Sequence, residues 1–114
     1  MTFTHRIGAE GPELVIALYG EMDLRVSEAF EATVHRILAE RRPRVLQLDL
    51  AGLDFLDSTG VSVIVRLWRL SRREHCSLRL VNSNGMVRHV LEVTGALTLV
   101  GEVPSAEAAP GVTS

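Results

Sequence analysis

Asp57-Ser-Thr-Gly-Val-Ser-Val-Ile-Val-Arg-Leu-Trp-Arg-Leu-Ser-Arg-Arg73 decides the fold, because it can be read two ways. Val61–Val65 is β-branched and favours a strand by propensity alone. Side-chain spacing says otherwise. Ser62, Arg66, Arg69 and Arg73 fall on one stripe of period 3.6, and Val61, Ile64, Val65 and Trp68 on another. The run from Thr59 to Arg73 also exceeds an ordinary strand. It is read as an amphipathic helix.

The flanking segments alternate between two periodicities. Thr2–Gly8 and Glu13–Tyr19 are apolar-rich runs separated by Ala9-Glu10-Gly11-Pro12, which predicts an antiparallel hairpin. Val26, Phe30, Thr33, Val34, Ile37, Leu38 and Arg41 recur at helical spacing until Pro43 stops them. In Val45–Leu50, Leu46, Leu48 and Leu50 share one face of a strand, and Val45, Gln47 and Asp49 the other. Leu78–Asn82 is a further strand. Ser83-Asn84 is placed to cap a helix that carries Met86, Val87, Val90 and Leu91 inward, and Gly95 to end it. Leu97–Val100 is read as the last strand.

The predicted order is β-β-α-β-α-β-α-β. Strand–helix–strand alternation implies parallel pairing, so the class is α/β with a mixed sheet whose first strand is antiparallel. One domain is expected over residues 1–103. Residues 104–114, PSAEAAPGVTS, read as a tail with at most one helical turn at Ser105–Ala109.

Composition narrows the chemistry. The chain has 114 residues, 46% of them hydrophobic, which suits a globular core rather than disorder. No apolar run approaches the roughly 18 residues of a membrane span, and no secretory leader is visible, so a soluble cytosolic protein is expected. All 12 basic residues are arginine. Without lysine there is no Schiff-base chemistry, no phosphate loop with a Gly-Lys pair and no kinase lysine. The lone cysteine, Cys76, excludes an intrachain disulfide and a cysteine zinc cage. A net charge of −2 argues against a nucleic-acid footprint.

In parallel α/β sheets, functional groups gather beyond the carboxyl ends of the strands. Gly20–Leu24, Ala51–Ser58 and Asn82–Asn84 are the qualifying loops, so Asp23, Asp57, Ser58, Thr59, Asn82 and Asn84 are expected on one rim. Asp57-Ser58-Thr59-Gly60 misses the aspartic-protease spacing by one residue. A serine hydrolase needs a histidine base beside its nucleophile, and His5, His35, His75 and His89 all fall off the rim. A phospho-aspartate receiver needs a lysine and an early acidic pair, both absent. The bland role for Asp57 or Ser58 is an N-cap worth about 1 kcal/mol. The same position suits a phosphate, since helix-start amides and the dipole favour negative charge. Gly60 is expected to leave room for a partner or enzyme.

Gly20-Glu21-Met22-Asp23, the run Leu48–Gly60, Leu80-Val81-Asn82 and Val90–Gly95 together resemble STAS domains, the sulfate transporter and anti-sigma factor antagonist family. The resemblance spans Phe3 to Val100 and is closest to single-domain bacterial anti-sigma factor antagonists. It implies a cytoplasmic regulator rather than an enzyme, with no cofactor and no metal. Its implied partners are an anti-sigma factor with serine kinase activity and a serine phosphatase, not nucleic acid or membrane. Ser58 matches the phosphoacceptor, and Asp23 the strand-end aspartate beside it. The implied partner surface is Asp23, Asp57, Ser58, Thr59, Gly60 and Asn82. Met22 stands where leucine or isoleucine is usual, Thr59 where serine is commoner, and the family's last helix is reduced or lost. The alternative is a constitutive interaction or ligand-sensing STAS domain in which Ser58 is only a cap.

Overall fold

Alternating apolar residues build the sheet. The structure, a computed structural model, describes residues 3–10 and 13–103. Strands β1 (Phe3–Glu10), β2 (Glu13–Met22), β3 (Val45–Leu56), β4 (Ser77–Val81) and β5 (Glu102–Val103) form one sheet in the order β1-β2-β3-β4-β5. β1 is antiparallel to β2, and every other pairing is parallel. Leu14 pairs with Leu46 and Leu46 with Leu78; Ile16 pairs with Leu48 and Leu48 with Leu80. Those rows are buried on one face. Helices α1 (Leu24–Arg41), α2 (Ser58–Arg73), α3 (Gly85–Val93) and α4 (Ala96–Val100) cover that face, contributing Phe30, Val34, Ile64, Leu67, Val87, Leu91 and Ala96 to one continuous core. The opposite face, bearing Val15, Ala17, Val45, Gln47 and Asp49, is half-buried.

The mixed α/β architecture and the helix over residues 58–73 are as expected from the periodicities. Buried burial of Val61, Ile64 and Leu67 against exposed Ser62, Arg66 and Arg69 shows why helical spacing prevailed over β-branching. Gly11 and Pro12 of the predicted turn, and residues 104–114 with the predicted turn at Ser105–Ala109, lie outside the described residues.

Four expectations need correction. Ala51–Leu56 is not a loop: β3 runs on to Leu56, and β2 likewise takes in Gly20–Met22. Pairing slips twice along this extension. Ala17 opposes Asp49 but Tyr19 opposes Gly52, and Gly20 opposes Leu53 but Glu21 opposes Phe55. Each slip adds one residue to β3, a bulge that leaves Ala51 and Asp54 exposed and keeps Leu50, Leu53 and Leu56 buried.

Leu97–Val100 is helical rather than a strand. Ala96 is buried and Leu97 and Val100 pack on the core, a helical spacing, while Leu99 is exposed. Gly95 enters α4 with φ 83° and Gly101 leaves it with φ 85°, so the last strand is displaced to Glu102–Val103. Met86 is exposed, not inward, because the core-facing stripe of α3 is Val87, Val90 and Leu91. Asn84 occupies the N-cap position of α3 without a side-chain cap bond; its Nδ2 donates instead to the Asn82 carbonyl at 3.2 Å.

Gly52 faces Tyr19 across the first bulge. A Cβ there would overlap the Tyr19 ring and come within 3.0 Å of the Leu18 carbonyl oxygen. Gly52→Ala is expected to destabilise the fold by about 1–2 kcal/mol. In a Tyr19→Ala background that penalty should fall by half or more, as read by urea unfolding of the four variants. An equal penalty in both backgrounds would assign it to the Leu18 carbonyl.

Candidate functional site: the corner where β2 and β3 enter their helices

The site follows from two parallel strands ending side by side. Met22 pairs with Leu56, and the Asp57 amide donates to the Met22 carbonyl at 3.4 Å. The next residue of each strand, Asp23 and Asp57, is the N-cap of α1 and α2, with nearly the same extended backbone: φ −111° and ψ −176° against φ −103° and ψ −176°. Asp23 Oδ1 accepts from the Arg25 amide at 3.0 Å, and Asp57 Oδ1 from the Gly60 amide at 2.9 Å. The buried Ser27 hydroxyl donates to the Asp23 carbonyl at 2.7 Å, which fastens the start of α1. Two strand ends thus become two capped helix starts at one corner.

Ser58 is the first residue of α2 and is exposed. Capping falls to Asp57, and among the described residues the Ser58 hydroxyl makes no hydrogen bond. The first turn of α2 contains no acidic residue, so its dipole faces no carboxylate from within the helix. Thr59 is half-buried beside it.

Gly60 differs from the expectation. It is buried, and the space of its missing side chain is filled from inside: a Cβ would lie 2.5 Å from Leu56 Cδ1 and 3.1 Å from the Met22 carbonyl oxygen. The glycine admits the core and the β2 backbone, not an approaching partner.

Asn82 is also placed differently. β4 ends with Val81 level with Asp49, whereas the corner lies at Met22 and Leu56. Ala17, level with Asp49 and so with Val81, is five residues before Met22, so Asn82 falls short of Asp23 by about 17 Å along the strands, at about 3.3 Å per residue. Its Nδ2 donates to Asp49 Oδ1 at 3.0 Å, and the same oxygen accepts from the Ala51 amide at 3.0 Å. Asp49 so ties the β4–α3 loop to the β3 bulge, and Asn82 adopts φ 62° there. The structure brings together Asp23, Asp57, Ser58 and Thr59; Asn82 and Asn84 form a separate loop.

Leu24 was missed by the sequence reading. It is 63% exposed directly after Asp23, an apolar contact point at the start of α1. The signal was an apolar residue at the first helical position, outside the stripe of Val26, Phe30 and Val34.

Asp57→Ala is expected to lower stability by about 1 kcal/mol by freeing the Gly60 amide, while Asp57→Asn retains most of the cap. Thermal melts of both variants check this. Equal losses would show that the carboxylate charge, not the acceptor, holds the turn.

No helix among the described residues is long and apolar enough to cross a membrane. The STAS domain family profile matches residues 3–109. The anti-sigma F factor antagonist of Paenibacillus polymyxa is 24% identical over 87 residues, covering 76% of this chain and 74% of its own length. The crystal structure of an anti-sigma factor antagonist from Mycobacterium paratuberculosis superposes with TM-score 0.82 at 21% identity, covering 93% of this chain and 89% of that one. The Bacillus cell fate determinant SpoIIAA in its phosphorylated form superposes with TM-score 0.70 at 20% identity, covering 91% and 93%.

Proposed function

The chain belongs to the STAS domain family, and from that premise we propose that it is an anti-sigma factor antagonist whose partner binding is switched at Ser58. In its unmodified form it docks an anti-sigma factor through Asp23, Leu24, Asp57, Ser58 and Thr59. That partner is also the serine kinase that phosphorylates Ser58, and docking is then lost. A serine phosphatase restores the docking form. The protein acts in the cytoplasm as substrate and binding partner, not as catalyst.

One observation carries this reading: Ser58 stands exposed at a helix start with its hydroxyl unengaged, while Asp57 does the capping. A serine with no structural task, in the position of the family's phosphoacceptor, is available for modification. The chemistry is favourable on the protein's side. A phosphate there meets the positive end of α2 and costs the fold little. It adds a charge of about −1.5 to −2 next to Asp57 and near Asp23, which repels an acidic contact and must be desolvated on docking. Gly60 contributes by shaping the turn from inside, and Asn82 by holding the neighbouring loop.

The test is incubation with ATP and an anti-sigma factor of the serine-kinase class from the same genome, and site mapping by tandem mass spectrometry. Phosphate on Ser58, absent in Ser58→Ala, is the expected result. Phosphate on Thr59 alone, or none on either residue, would favour a constitutive interaction domain.

A further inference from the structure

Away from the Ser58 corner, the outer face of α2 carries charge that the switch does not use. Over Ser58–Arg73 it has four arginines and no carboxylate. Ser62, Arg66, Arg69 and Arg73 share one face at intervals of four, three and four residues. Opposite them, α1 presents Glu31 and His35 across an open cleft of about 290 Å³. A second, shallower depression on α2, lined by Val61, Ser62, Val65, Arg66 and Arg69, adjoins it.

Two of the four arginines are engaged. Arg66 donates through Nε and Nη2 to the two Glu31 carboxylate oxygens, both at 2.9 Å, a bidentate pair. That guanidinium holds the Glu31 carboxyl below its ordinary range, so the pair is internally neutralised at pH 7. Arg72 lies over the Trp68 ring at 5.0 Å. Arg69 and Arg73 are exposed and have no carboxylate partner among the described residues.

We propose that this cleft docks an extended acidic segment of a protein partner, with carboxylates at alternate positions on Arg69 and Arg73. The spacing matches. Four residues of helix separate the two arginines by about 6 Å along the axis. Alternate side chains on one face of an extended chain stand about 6.6 Å apart. The guanidinium fork is suited to bidentate carboxylate recognition, and this wall of the cleft offers two unengaged forks in a row. The distance from Ser62 to Arg73, about 16 Å, accommodates about five extended residues. This surface is distinct from the corner at Ser58 and does not rest on the switch.

The experiment uses the whole chain and a fluorescein-labelled peptide, Ser-Glu-Ser-Glu-Ser-Glu, at low salt, with amide shift mapping by NMR. Saturable binding is expected, with shifts concentrated over residues 61–73 and at Glu31 and His35. Arg69→Ala combined with Arg73→Ala should weaken binding at least tenfold with an unchanged melting temperature, because both side chains are exposed. Arg69→Ala and Arg72→Ala each remove one charge from a different position; the first should weaken binding several-fold and the second leave affinity within twofold. Equal losses in the Arg72 and Arg69 variants would overturn the proposal, reducing the effect to general basicity. Shifts confined elsewhere, or inorganic pyrophosphate competing as well as the peptide, would also overturn it. Self-association abolished by the Arg69/Arg73 variant, without peptide binding, would assign the cleft to a second copy and reject the partner segment. Phosphorylation of Ser58 in the same variants reads the switch separately.

Discussion

Gly60→Val is expected to destabilise the protein by about 3 kcal/mol and to disturb the Ser58 corner together with the core. The added Cβ would meet Leu56 Cδ1 at 2.5 Å and the Met22 carbonyl oxygen at 3.1 Å. Neither neighbour can yield easily. Leu56 and Met22 are fully buried, and the Met22 carbonyl accepts the Asp57 amide. Overpacking of this kind typically costs 1–3 kcal/mol, and the two γ-methyls of valine set the value at the upper end. Gly60→Ala gains about 1 kcal/mol of helix propensity against a smaller clash, so its net loss should be about 1 kcal/mol. Denaturant unfolding of both variants gives the comparison. If valine were tolerated as well as alanine, α2 would pivot freely on β2, and the rigid corner described above would be wrong.

Phosphorylation of Ser58 is expected to weaken binding to the anti-sigma factor by roughly 150-fold, equivalent to a coupling of about 3 kcal/mol. The unmodified protein and Ser58→Ala should bind alike, since the exposed Ser58 hydroxyl makes no hydrogen bond among the described residues. Ser58→Asp should fall between the unmodified and the phosphorylated protein, because one carboxylate carries less charge than a phosphate. Isothermal titration of the four forms measures this, with circular dichroism confirming an unchanged fold. Equal affinity for phosphorylated and unmodified protein would remove the switch while leaving the family and the docking corner intact. Asp23→Ala separates the two tasks of its carboxylate. A loss of about 1 kcal/mol in stability is its share as a cap on the Arg25 amide, and any further loss of affinity belongs to the partner.

Several features were legible in the residues because their causes are local. The 3.6 period over residues 57–73 outweighed the β-branched run, since a helix with one buried stripe satisfies Val61, Ile64 and Leu67 at once. The alternation of Leu46, Leu48 and Leu50 identified a strand and its buried face, and a polar residue before an apolar-periodic run marked the helix start at Asp57. From these alone, Ser58 emerged as the residue at the mouth of a helix.

Other features depend on atoms distant in the chain. The bulges at Ala51 and Asp54 break the two-residue period, so Ala51–Leu56 read as a loop although pairing with Tyr19–Met22 keeps it in the sheet. Leu97 and Leu99 alternate like a strand, yet packing of Ala96 and Val100 against the core makes that segment helical. Gly60 looked like space for a visitor until Met22 and Leu56 were found to occupy it. The chain's own periodicities determined the α/β class, the helix over residues 58–73 and the candidate serine, because neighbours a few residues apart settle which side of an element faces inward. Register, the contents of a glycine's empty side and the height of each loop along the sheet were decided only by tertiary structure, because they are set by strands and helices that meet across the core.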